Sequence, residues 1–366
     1  MTTPQRVEHL QTDKGNVPVY ATGVVEQPWE HYSETDHEVW RTLFRRQQSQ
    51  LGHQACREFL EATGIMGMSD TGIPKFSTLN RILETTTGWR IIGVEGLLPE
   101  LDFFEHFANL RFPVTWWIGR PDQLDYLSEP DLFHDLYGHA PLLMNPMFAD
   151  YMQAYGRGGL RAHGFGPQAL AQLTRLYWYT VEFGLIDTAE GLRIYGAGIL
   201  SSKGECDYCL NSAAPNRIGF DLQRVMNTRY RIDTYQKTYF VIDSFQQLFE
   251  ATLADFAPVY RTLEMSDPVM AGAVLDTDRY LGGLRDDFDS PEALRELIAR
   301  VGREPLEETD RFCVESAGLS AITQMEFGIR RAIELGNVPA DPRLKLAPDE
   351  RRGNSEIVRR IWAGQE

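Results

Sequence analysis

Apolar residues recur at helical spacing from Tyr32 to about Leu60, where Trp40, Leu43 and Phe44 fall about one turn apart with Arg41, Arg45 and Arg46 between them. Ser33, followed three residues later by Asp36, marks the start of that helix. The same period predicts helices over Phe76–Thr87 and Leu101–Leu110, and a longer one from about Pro167 to Leu185. A short helix over Pro130–Tyr137 has proline at its first turn and Gly138 just past its end. Strand-like runs are brief: Trp89–Val94, Arg193–Tyr195, Arg229–Asp233 and Tyr239–Ile242. The last two lie in RYRIDTYQKTYFVIDSF, which reads as a hairpin. Helices outweigh strands and no strand–helix–strand alternation is visible. The expected class is therefore mostly α with short β hairpins, that is, α+β.

Texture divides the chain into three. Residues 1–27 are polar and weakly patterned and read as a flexible arm. Residues 28–265 are dense in aromatics and read as the main domain. Beyond about Leu263 Trp and Tyr become scarce, and residues 266–366 read as a helical extension of unassigned role. Within it Ser290, Pro291 and Glu292 look like a helix start, and Ile322–Leu335 is apolar-periodic up to Gly336. No internal repeat or low-complexity tract interrupts this pattern.

Composition narrows the function. The 366 residues carry 36 Lys and Arg against 52 Asp and Glu, a net charge of −16, so no basic face for nucleic acid is expected. No run reaches the roughly 18 apolar residues of a membrane helix, and the start, MTTPQRVEHLQTDKG, has no signal-like core. Four cysteines, Cys56, Cys206, Cys209 and Cys313, are too few for a disulfide scaffold, which points to a reducing cytoplasm. Cys206 and Cys209 form a lone CxxC, a weak signal for zinc or redox chemistry.

Chemistry concentrates in two segments. EPDLFHDLYGHAP holds His134 and His139. Five residues apart on an α-helix they diverge by about 140°. A helix ending at Gly138 would let His139 swing back, and Pro141 would stop the helix from resuming. LYWYTVEFGL sets Glu182 in an apolar, aromatic helix, where a lone carboxylate costs several kcal/mol unless partnered. Two imidazoles and a buried carboxylate are the donor set of a facial-triad iron site with three open positions. They also suit catalytic zinc, although no HExxH is present. Spacing alone does not separate a metal site from an ordinary core histidine, a surface histidine and a half-buried glutamate. Asp135, beside His134, is a candidate supporting acid.

The run RFPVTWWIG…DQLDYLSEPDLFHDLYGHAPLL, followed by RLYWYTVEFGL and RIYGAGILSS, resembles the pterin-dependent aromatic amino acid hydroxylases, especially the single-domain bacterial phenylalanine hydroxylases. The likeness extends from about Tyr32 to Leu263 with the motifs in order. It implies that family's catalytic-domain fold, and a monooxygenase of phenylalanine catabolism using Fe(II), dioxygen and a tetrahydropterin. By resemblance His134, His139 and Glu182 are the metal ligands. Gly96, Leu98, Phe103 and Tyr177 match pterin positions, and Tyr177, Trp178 and Glu205 match positions close to the chemistry. Tyr126, Pro130, Trp178, Phe183, Gly198 and Ser201 match the substrate pocket. Trp178 is the position that is tryptophan in phenylalanine hydroxylases and a smaller ring in tryptophan hydroxylases. The implied partner is a free aromatic amino acid, with no nucleic acid or membrane, and the implied state is a monomer or small homo-oligomer.

One position departs from the family. Fifteen residues before His134 an arginine usually meets the substrate carboxylate; here that residue is Gly119, and Arg120 follows it. Either the loop shifts to bring Arg120 to the substrate, which is the expectation adopted, or the carboxylate is recognised differently. The second would permit an altered substrate such as tryptophan, a carrier-bound amino acid, or a changed ring position such as meta-hydroxylation of phenylalanine. A zinc hydrolase and a non-enzymatic binding role resting on the C-terminal extension are further alternatives.

Overall fold

A computed structural model describes residues 6–12, 15–20, 24–96, 98–124, 130–230 and 235–285. Strands β1 (Arg6–Thr12), β2 (Gly15–Tyr20) and β3 (Val24–Val25) pair antiparallel in sequence order, with Thr12 opposite Gly15. Most of the segment expected to be a flexible arm is thus a ladder that joins the main domain. Strict alternation is weak in RVEHLQT and GNVPVY, and their antiparallel pairing with each other is what defines them.

The start signal at Ser33 is realised. Its hydroxyl accepts from the Asp36 N–H and its own N–H donates to the Asp36 carboxylate at 2.8 Å, opening α1 (Glu34–Leu51). The helix does not continue to Leu60. It stops at Gly52, and α2 (Arg57–Ile65) begins afresh, because Ala55 bridges Ile194 and the Cys56 N–H donates to the Ile194 carbonyl at 2.8 Å. Tertiary pairing overrides helical periodicity there.

Next come α3 (Phe76–Thr86), β4 (Arg90–Val94), α4 (Glu100–Ala108) and β5 (Arg111–Thr115). β4 and β5 are parallel, so β4–α4–β5 is a strand–helix–strand unit, contrary to the expectation of none. β5 is invisible to pattern because Pro113 sits in its middle; the structure tolerates this because β5 is the outer strand of the sheet β1-β2-β3-β4-β5.

Two long helices follow, α5 (Pro146–Ala162) and α6 (Pro167–Tyr177), each with proline in the first turn. Gly156 and Gly159 let α5 close on α4: a Cβ on Gly159 would lie 2.1 Å from the Phe104 ring. The remaining elements are β6 (Leu185–Thr188), β7 (Gly191–Ile194), α7 (Ala197–Leu200), α8 (Lys203–Asn211), β8 (Asn216–Gly219), α9 (Leu222–Asn227), β9 (Thr238–Ile242), α10 (Phe245–Ala251), α11 (Phe256–Glu264) and β10 (Tyr280–Gly282). They contribute a second sheet of order β10-β8-β9-β6-β7, in which β9 runs parallel to both neighbours. The expected hairpin is therefore corrected. Tyr239–Ile242 is a strand, but it pairs with β8 and β6; Arg229 and Tyr230 are not in a strand, and residues 231–234 lie outside the described residues.

The boundary at 265 also moves. Val269 bridges Thr228, β10 extends the second sheet, and Arg224 clasps Asp278 through Nε–Oδ1 at 2.8 Å and a second nitrogen at 3.1 Å. Residues 266–285 belong to the folded unit. The helices expected around Ser290 and over Ile322–Leu335 lie outside the described residues. Among the described residues, no helix is long and apolar enough to cross a membrane. One continuous core, including Trp40, Trp89, Phe107, Tyr151, Tyr179 and Tyr239, joins the two sheets through the helices and surrounds the site.

Candidate metal centre

The expected stop at Gly138 does not occur. Residues His134–His139 form a π-helical turn, and a 3-10 turn, Ala140–Met144, takes in Pro141 directly after it. A π turn hydrogen-bonds i to i+5, so residues five apart lie about one turn from each other. His134 and His139 therefore face the same way without a chain reversal. Their Nε2 atoms lie 3.3 Å apart with the rings at 85°. Gly138 stays inside the turn because Ala197 packs on it: a Cβ there would be 3.0 Å from the Ala197 carbonyl oxygen.

The third donor is presented in the same way. α6 passes at Tyr177 into a π turn, Trp178–Glu182, which ends at Phe183. Glu182 places Oε1 at 3.3 Å from His139 Nε2 and Oε2 at 3.6 Å from His134 Nε2. All three donor atoms lie within 4.8 Å of one another, the one such metal-capable group of His, Cys, Asp and Glu among the described residues. Gly196 lets the following segment close over this turn, since a Cβ there would be 2.4 Å from the Glu182 carbonyl oxygen.

Electrostatics act on two of the donors. Burial pushes His134 down to about 4, aided by His139 and opposed by Glu182, so the imidazole is neutral. Burial alone would raise Glu182, but the two histidines hold it below the ordinary carboxylate value. Two imidazoles and a carboxylate at these separations fit a divalent cation.

The tautomer of His134 is fixed as well. The Ser201 hydroxyl donates to the Ala197 carbonyl at 2.8 Å, which uses its one proton. Ser201 Oγ, 2.8 Å from His134 Nδ1, therefore accepts from Nδ1–H and leaves the Nε2 lone pair toward the centre. Asp131 and Asp135 dock the turn onto the first sheet. Asp131 accepts from the N–H groups of His134 at 3.0 Å and Gly119 at 2.9 Å; Asp135 accepts from the Thr115 N–H at 2.8 Å. Burial raises both carboxyls, that of Asp135 to about 7. His139 rests on Phe112 at 5.0 Å, and its buried Nδ1 has no hydrogen-bond partner among the described residues.

This chain matches the family described as biopterin-dependent aromatic amino acid hydroxylase over residues 20–266. The chain belongs to that family. A phenylalanine-4-hydroxylase of Ralstonia nicotianae is 61% identical over 265 residues, covering 72% of this chain and 84% of the relative. One of Chromobacterium violaceum is 60% identical over 255 residues, covering 70% and 85%. The crystal structure of the C. violaceum enzyme described as iron- and phenylalanine-bound superposes with a TM-score of 0.68 at 56% identity, covering 71% of this chain and 94% of that one. The cobalt-bound form gives 0.70 at 57% identity, covering 72% and 95%.

The remaining expected residues of this hydroxylase are placed as follows. Tyr177 lies beside the metal ligands, its ring 6.4 Å from and nearly parallel to His139 and 5.9 Å from Phe103. Phe103 and Leu98 are half-buried, and Gly96 opens onto free space, with nothing within 4 Å of a Cβ built there. Trp178 stacks on Tyr230 at 4.3 Å and 13° and leans on Phe183 at 4.7 Å. Gly198 supports the Phe183 ring: a Cβ there would be 2.8 Å from its Cζ. Ser201 touches a metal ligand rather than lining a pocket only. Pro130 is half-buried at the start of the histidine segment.

Arg120 does not meet the expectation. Its side chain is 72% exposed and paired with Asp122 at 3.2 Å, on the surface of a short turn. Tyr126 lies outside the described residues. Cys206 and Cys209 are buried thiols whose pKa burial raises, donating to backbone carbonyls rather than holding a metal. Sequence reasoning missed Asp131, Tyr230 and Gln236. A single aspartate in a Pro-Asp pair reads as a cap, and a glutamine between strands reads as loop, so no pattern marked them.

Proposed function

We propose that this enzyme hydroxylates the ring of free L-phenylalanine to give L-tyrosine, with iron(II) held by His134, His139 and Glu182. The observation that carries the reading is the convergence of those three donors on two π turns. The names of the relatives at 61% and 60% identity supply the substrate. When bound, the iron and the reduced pterin supply oxygen activation and its electrons.

The protein's own groups bind and orient. Ser201 holds His134 in the ligating tautomer, and Asp131 fixes the turn that carries it. Tyr177, beside His139, and Phe103, packed edge-on against Tyr177, offer aromatic surfaces suited to a flat heteroaromatic cofactor next to the metal. Trp178 and Phe183, on the Glu182 side, supply the apolar wall for a phenyl ring and exclude water. Glu205 lies behind that wall, bonded to Tyr239 and the Gln236 backbone, so its role is support.

The catalytic unit on this reading runs through residue 285, the net charge of −16 argues against a nucleic-acid partner, and the few cysteines suit a cytoplasmic monomer or small homo-oligomer. The test is an assay of iron-loaded protein with a reduced tetrahydropterin, oxygen and L-phenylalanine, with para-, meta- and ortho-tyrosine separated. Para-tyrosine that disappears when iron or pterin is omitted is the expected result. Meta-tyrosine, or turnover of another aromatic amino acid only, would overturn the substrate assignment.

A further inference from the structure

Behind the aromatic wall runs a buried polar chain that does not touch the metal. The Trp178 indole N–H donates to Gln236 Oε1 at 2.9 Å. The Gln236 backbone N–H donates to Glu205 Oε1 at 3.2 Å, and the same oxygen accepts from the Tyr239 hydroxyl at 2.7 Å. Trp178, Glu205, Gln236 and Tyr239 are all buried.

The covalent framework gives this chain leverage. Glu205 stands in the first turn of α8, whose N-cap Ser202 accepts the Glu205 N–H, and Ser201 beside it holds His134. The turn that fixes a metal ligand thus also anchors, through Glu205, the segment bearing Gln236. On its other sides the indole is bounded by Tyr230, stacked on one face, and by Phe183. A stacked ring can still slide and rotate in its plane. A hydrogen bond at one edge removes those freedoms, and a buried indole N–H left without an acceptor is costly, so the ring is held in one place.

We propose that Gln236, held in register by Glu205 and Tyr239, is a positioning residue that fixes the Trp178 indole and thereby the shape of the aromatic wall that selects the substrate ring. The selectivity part rests on the functional reading above, whereas the positioning part stands on the geometry alone. Loss of the Gln236 acceptor lets the indole shift within the wall, which then discriminates less against a larger ring. Loss of the Glu205 carboxylate does the same indirectly, because the Gln236 backbone is no longer tied to α8. An amide at position 205 still offers an acceptor oxygen and maintains the tie.

Two measurements test this on the full chain. The first is hydrogen exchange of the Trp178 indole N–H, assigned by its absence in Trp178→Phe; it needs no substrate and decides the positioning claim with or without turnover. Exchange is expected to speed up tenfold or more in Gln236→Leu and Glu205→Leu, and to stay within twofold of wild type in Glu205→Gln. The second is the ratio of kcat/KM for L-phenylalanine over L-tryptophan, expected to fall about fivefold in Gln236→Leu, as one lost hydrogen bond implies. In a Trp178→Phe background the same substitution is expected to change the ratio less than twofold. Unchanged exchange in Gln236→Leu overturns the proposal. So do effects of Gln236→Leu and Trp178→Phe on the ratio that simply multiply. If Glu205→Leu fails to fold, Gln236→Leu and Glu205→Gln still decide.

Discussion

Ser201 Oγ lies 2.8 Å from His134 Nδ1, on the side of the imidazole away from the atom that faces Glu182. A hydroxyl whose proton is committed to Ala197 can only accept, so this contact selects the tautomer that binds metal. Ser201→Ala is expected to weaken iron(II) affinity by about tenfold while leaving the fold intact. Metal titration followed by calorimetry measures it, and an unchanged Kd would remove Ser201 from the site's design.

Iron binding should also register as stability. At a hundredfold excess over Kd, a ligand specific for the native state adds about 2.7 kcal/mol. Ferrous ion is expected to raise the Tm of the wild type by several degrees and that of His139→Ala by none. Equal shifts in both would place the ion elsewhere.

Glu205 gives a pH dependence of unusual direction. Burial is the main cause, opposed by the bonds from Tyr239 and Gln236, and it pushes the carboxyl from 4.5 up to about 7. Between those values the native state keeps a proton that the unfolded state has released, so this group's contribution to stability falls as pH rises through that window. Glu205→Gln removes the effect. The variant should differ little from wild type at pH 5 and be more stable at pH 8, by up to about 3 kcal/mol. Thermal unfolding at the two pH values is the check, and a pH-independent difference would refute it.

The Arg224–Asp278 pair is buried, with side-chain exposures of 7% and 3%. Removing one partner strands the other charge. Asp278→Ala is expected to cost about 3 kcal/mol in denaturant unfolding, because residues 266–285 are tied to α9 there. A loss below about 1 kcal/mol, the value of a surface pair, would show that this segment is dispensable.

Arg120, exposed and already paired with Asp122, is expected to tolerate alanine with kcat/KM for phenylalanine within twofold of wild type. A tenfold rise in KM would return it to the substrate.

The metal ligands were legible through the family resemblance; residue type alone marked only Glu182, a carboxylate among Trp178, Tyr179 and Phe183 that demands a partner. How they are brought together was not legible. The spacing of His134 and His139 invited a helix ending at Gly138, whereas Ala197, from a segment some sixty residues away, packs on that glycine within a continuous turn. Helices with a strong start signal, such as that at Ser33, were found. β5 was hidden by Pro113, and the first two strands by their lack of alternation. Long-range pairing decides such elements, and one sequence does not display it. The same holds for Gln236, whose importance lies in two contacts across 31 and 58 positions of chain.

All three ligands sit in turns wound one residue looser than an α-helix. An α-helix advances about 100° per residue, so deleting any single residue between His134 and His139 would restore α-winding and leave the two rings a turn-neighbour pair four apart, with everything downstream rotated by that angle. The same deletion between Trp178 and Glu182 would swing the carboxylate off the centre. The site is thus written in the length of two segments as much as in their letters: a one-residue gap in either turn would change how the three donors meet.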